Sequence, residues 1–129
     1  MQGILVKLIA LKQAIKEYHW LAKSYQEHIL ADKLEEGLDD FSDEVAELSI
    51  VNQEEPDLVA HNLLSEATKY LQGKKTDDLH GIGNICYDIL QEVNEESETA
   101  TIAGIADLFS RISNLLLRKL YLINIQIGK

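Results

Sequence analysis

The sequence is poor in every residue that punctuates or cross-links a chain. It holds one proline, seven glycines and one cysteine in 129 residues. The lone cysteine, Cys86, has no internal partner for a disulfide. It reads as a small buried thiol in a reducing cytosol, and the chain as cytoplasmic. With so few breakers, and with Leu, Ile, Ala, Glu and Lys dominant, the composition predicts an all-α fold. The length predicts a single domain over residues 1–129, large enough to bury a core. No apolar run reaches membrane-spanning length. The opening stretch, Ile4 to Leu11 interrupted by Lys7, lacks a basic start and a small-residue cleavage site. It reads as a helix of the mature fold rather than a signal peptide.

Bases are also scarce. Lys74-Lys75 and Arg118-Lys119 are the only basic doublets, and the net charge is −10. Most of that charge lies between Ser24 and Ile50, where Glu27, Asp32, Glu35, Glu36, Asp39, Asp40, Asp43, Glu44 and Glu47 face the single Lys33. Binding phosphate requires clustered Lys and Arg, so this balance argues against a nucleic-acid partner and favours metal cations.

What is abundant is helical periodicity. Ile4, Leu8, Leu11, Ile15 and Tyr18 recur at three- and four-residue steps, which predicts a first helix over residues 3–22. Ser24-Tyr25-Gln26-Glu27 is a capping-box pattern and starts a second, expected to run unbroken to Val51 on the stripe Ile29, Leu30, Leu34, Leu38, Phe41, Val45 and Leu48. Residues 52–57, with Pro56, form a connector, and a short helix follows over 58–71. A third long helix is predicted over 77–94, weakened by Gly81 and Gly83, with the acids to Ser97 as its frayed end or a turn. The last covers 99–126, its buried face running from Ile102 through Leu108, Ile112 and Leu116 to Ile123. Four long amphipathic helices and one short helix in the longest connection predict a four-helix bundle.

The residue pattern with most chemistry in it lies on the second helix. Asp43 and Glu47 are one turn apart on one face, and His28 and Asp32 repeat that spacing upstream. A set of imidazoles and carboxylates suits a hard-to-borderline ion such as iron. On an unbroken helix, Asp32 and Asp43 face the same way but stand roughly 16 Å apart, too far for one ion. They are therefore two half-sites, completed if an identical helix packs antiparallel across a two-fold axis. His19 joins His28 through the hairpin at Ser24. His61 and His80 lack partners at ligand spacing, and Trp20 reads as a core or interface residue.

His19-Trp20, His28, Asp32 and Asp43-Glu44-Val45-Ala46-Glu47 resemble the ferroxidase signature of the Dps family, the small ferritin-like proteins. Thr99 to Leu108, followed by Leu115 to Tyr121, is similar to that family's last helix. The resemblance implies a ferritin-like fold and a homo-oligomer, built as a two-fold dimer and a twelve-subunit shell. It implies iron (Fe2+/Fe3+) sites with His19, His28 and Asp32 from one chain and Asp43 and Glu47 from the other. The implied activity is Fe(II) oxidation by peroxide or oxygen, with storage of the ferric product. The alternative is a non-catalytic ferritin-like scaffold or interaction module. A third reading, oxygen chemistry on organic substrates inside the bundle, calls for Glu-x-x-His motifs that this chain lacks.

Overall fold

A computed structural model of the chain describes residues 1–52 and 57–128. All of its regular elements are helices: α1 (Gln2–Leu21), α2 (Tyr25–Glu35), α3 (Leu38–Val51), α4 (Ala60–Leu71), α5 (Leu79–Thr99) and α6 (Ala103–Gln126). Residues 53–56 of the expected connector lie outside the described residues.

The apolar stripes dictate the packing. Ile4, Leu8, Leu11 and Ile15 of α1 are fully buried against Leu34, Leu38, Ile82, Ile85 and Ile89, and Leu108, Ile112 and Leu116 of α6 complete the core. Burying such side chains contributes about 1.5–3 kcal/mol each, the main favourable term in the fold. Ion pairs between rods fix their directions. Lys12 pairs with Asp39 and Lys16 with Glu35, so α2 and α3 run antiparallel to α1. Arg111 pairs with Glu44 while Lys119 reaches Glu36, so α6 runs antiparallel to them as well. The Met1 ammonium holds Glu96 at 2.7 Å, setting the start of α1 beside the end of α5. The chain thus runs up in α1, down in α2 and α3, back up along α1 in α4, down in α5 and up in α6. That is a bundle of four rods with one long crossover.

Three boundaries differ by more than two residues from the sequence expectation. The second long helix is not continuous. It breaks at Glu36 (ψ 133) and Gly37, whose φ of 83 is left-handed. Only glycine takes that conformation at little cost, and a Cβ there would sit 3.1 Å from Leu115. The α5 helix carries the acids to Thr99 as its last turn, because Met1 neutralises Glu96 there. The α6 helix begins at Ala103, four residues later than expected.

The break frees the Glu36 backbone carbonyl from the helix, and Lys119 takes it. This lysine is 3% exposed, and its Nζ donates to the Glu36 carbonyl at 2.7 Å. Burial pulls the Lys119 ammonium down to about 8, with Cys86 and Glu36 opposing and Arg118 adding to the shift. Ser49, the other buried polar residue among those described, satisfies itself by donating to the Val45 carbonyl at 2.8 Å. Cys86 is buried, as expected, and its thiol is pushed up to about 12 by burial, which leaves it unreactive.

Candidate metal centre

The hairpin between α1 and α2 is built by its caps. Ser24 Oγ accepts from the Glu27 backbone N–H at 3.1 Å, and Glu27 Oε2 accepts from the Lys23 N–H at 3.0 Å. This reciprocal cap turns the chain within three residues, so the last turn of α1 lies beside the first of α2. Thr76 braces α1 from behind by donating to Glu17 at 2.8 Å.

His19 and His28 meet across that turn. His19 Nε2 lies 3.0 Å from His28 Nδ1 and 3.3 Å from its Nε2, over the nitrogen-bearing edge of the second ring. The rings are 4.1 Å apart and near perpendicular at 79°. Asp32 Oδ1 lies 3.7 Å from His19 Nδ1, on the other side of the imidazole. Among the described residues, these three form the one group of histidine, cysteine and carboxylate side chains whose ligand atoms all lie within 4.8 Å. Metal–nitrogen bonds near 2.1 Å put two ligand atoms about 3 Å apart when they meet at a right angle, so the imidazole pair has usable spacing. Two neutral imidazoles and a carboxylate form a set that a borderline divalent ion such as Fe(II) accepts. Without an ion, the same contact is a hydrogen bond that ties the hairpin.

Asp43 and Glu47 are not brought to this trio. They lie on α3, beyond the break, with both side chains exposed. Val45 and Ser49 carry the buried face of that helix, and Asp43 points about 200° away from Val45 at 3.6 residues per turn. What sets the pair apart is what they lack. Glu35, Glu36, Asp39 and Glu44 are each matched by a lysine or arginine. Asp40, Asp43 and Glu47 have no such partner among the described residues. Because the helix breaks at Gly37, the rigid-helix separation of Asp32 from Asp43 does not carry over; the turn at Glu36–Gly37 sets it instead.

Several sequence readings need revising. Trp20 is 74% exposed, so it belongs to no core, and Tyr25 at 79% and Ile29 at 37% on α2 are also open. Ala31 takes the buried place expected of Ile29. His61 and His80, by contrast, agree with their sequence reading: both are exposed and, among the described residues, belong to no ligand group. Glu44, next to Asp43 in the motif, is taken up by the Arg111 fork, which also binds Asp107 at 2.9 Å. That pairing holds the Glu44 carboxyl below its usual range. Arg111 and Lys119 are the residues that sequence reasoning passed over. Lys119 lies three and seven residues from Leu116 and Ile112 and four from Ile123, a spacing that sets it on the buried face of α6.

Among the described residues no histidine is buried and one carboxylate oxygen, Glu92 Oε2, is shielded without a hydrogen-bond partner, and no second ligand group gathers in the bundle interior. No helix described is long and apolar enough to cross a membrane. Compared with family models, curated proteins and solved structures, the chain matches none.

Proposed function

We propose that this chain is a ferritin-like protein of Dps type that binds and oxidises Fe(II) at sites shared between two-fold-related subunits, in the cytoplasm. One observation carries the reading: His19, His28 and Asp32 converge on the outside of the bundle, while Asp43 and Glu47 stand on the outside of α3 without a cationic partner. Each set is too small for a pair of iron ions, and a second copy supplies what each lacks. Exposed Trp20, Tyr25 and Ile29 beside the trio give that copy an apolar surface to cover, in keeping with an interface. The single long crossover supports the ferritin-like assignment over a simple up-and-down bundle.

In this reading the imidazoles hold the ferrous ion and the carboxylates favour the ferric product. Hydrogen peroxide accepts two electrons and two protons and leaves as two waters, so one peroxide consumes two Fe(II). The ferric product is the cargo, and the unpaired acids of α3 would guide cations to the site.

Anaerobic Fe(II) titration followed by a peroxide pulse tests this, read by ferric absorbance and by Trp20 fluorescence. Saturation at a fixed ratio per dimer, quenching of Trp20 and oxidation far faster than in buffer are the expected results. Oxidation at the buffer rate with unchanged fluorescence would leave the alternative, a non-catalytic scaffold. The His19–His28 hydrogen bond would then be only a tie in the hairpin.

A further inference from the structure

We propose that the Lys119 ammonium is a pin that fixes the break between α2 and α3, and so sets how far His28 and Asp32 stand from Asp43 and Glu47. Three observations meet at this point. The break needs a left-handed residue, which Gly37 supplies. It turns the Glu36 carbonyl out of the helical direction and toward α6, where the Lys119 ammonium meets it. Among the described residues, the side chain that meets that carbonyl is a lysine on a different helix, only 3% exposed, at 2.7 Å.

A lysine in a core is costly to desolvate, and an apolar residue of its size would pack as well. Its presence calls for a role that methylene groups cannot fill. A charge-assisted bond to a carbonyl is stronger and shorter than a neutral one, and here it joins α6 to the joint of a hinged helix. With the bond made, the Glu36 carbonyl is satisfied only in the bent geometry. Without it, the carbonyl takes water as its partner or accepts again from within a straightened helix, and the bent geometry loses its tie to α6. The lever is long. The 14 residues of α3 span about 21 Å at 1.5 Å per residue, so a change of about 20° at the break moves its far end by roughly 7 Å. Asp43 and Glu47 ride on that arm.

The groups around Lys119 leave a usable pH window. Glu36 approaches from the end of α2, Cys86 from α5 and Arg118 from its own helix. Between pH 7 and 9.5 the Cys86 thiol, pushed up to about 12, keeps its proton. The Lys119 ammonium, brought down to about 8, loses its own. A neutral amine still donates, but without the charge the bond weakens.

The test is a distance measured by electron spin resonance between nitroxides on Gln26→Cys and Ile50→Cys, both exposed, in protein diluted with unlabelled chain. Cys86 is buried and stays unlabelled. At pH 7 the otherwise unaltered chain should give one narrow distance, broadening and shifting by several ångströms at pH 9.5. With Lys119→Met it should be broad and shifted at both pH values. A Lys119→Met distribution matching the parent at pH 7 would overturn the pin, as would a parent distribution unchanged between the two pH values. If Lys119→Met does not fold, the parent's pH series decides alone. The proposal rests on the shared-site reading only for its consequence. The distances are read without metal, so a chain that binds no iron would end the ferroxidase reading while the distances still decide the pin.

Discussion

Two inactive variants should make an active protein when they are mixed. A chain with His19→Ala, His28→Ala and Asp32→Ala keeps only the carboxylate half-site, and a chain with Asp43→Ala and Glu47→Ala keeps only the histidine half. Each alone should oxidise Fe(II) no faster than buffer. Co-refolded in equal amounts they pair at random, so half of the dimers are mixed. In a two-fold interface each mixed dimer holds one site with both halves intact and one with neither, so about a quarter of the wild-type rate should return. The substitutions fall on exposed or half-exposed side chains outside the core, so little stability is at stake. Peroxide-driven ferric absorbance measures the recovery. Full activity in the Asp43→Ala, Glu47→Ala chain alone would mean that the trio works within one chain. An active parent whose two variants never complement would mean that all five residues serve one chain's own site.

The trio was legible because two local rules converge on it. A four-residue spacing sets His28 and Asp32 on one face, and the Ser24 cap folds His19 back to them. The rods were legible for a similar reason, since stripes such as Ile4, Leu8, Leu11 and Ile15 have one reading. The break at Gly37 was hidden by that same periodicity. Leu34, Leu38 and Val45 stay buried on both sides of it, so the apolar pattern passes through without a fault. The signal was the glycine itself, which costs about 1 kcal/mol inside a helix and is the residue favoured at left-handed helix ends. Lys119 and the Glu44–Arg111 fork were invisible for another reason. Their partners lie 83 and 67 residues away, and no local pattern encodes such pairs. Trp20 marks a further limit. Sequence hydrophobicity asks for cover, but whether one chain or its neighbour supplies it is decided by tertiary packing, and here the chain leaves it open.

Gly81 and Gly83 look alike in the sequence, both as flaws in a helix, yet alanine should have opposite effects at the two positions. A Cβ on Gly81 would lie 1.8 Å from the Lys75 carbonyl oxygen and 2.7 Å from its carbon. Those are backbone atoms, so no side chain can rotate away and the loop itself must move. That loop is fixed on both sides: Asp78 caps α5 by accepting from the Gly81 N–H at 2.8 Å, and Thr76 holds Glu17. Gly81→Ala should therefore cost about 3 kcal/mol, at the upper end for overpacking. At Gly83 the nearest atoms are Ile123 Cγ2 at 3.8 Å and Leu120 Cδ2 at 3.9 Å, ordinary contact distances. There the methyl fills space between α5 and α6, and the helix gains up to about 1 kcal/mol from losing a glycine. Urea unfolding followed by circular dichroism reads both changes, and equal stabilities for the two variants would mean that the loop does not sit on α5. The difference bears on the metal centre as well. Glu17 lies two residues before His19, so a loop displaced by Gly81→Ala releases the brace behind the histidine pair. Fe(II) affinity should therefore fall in that variant and hold in Gly83→Ala.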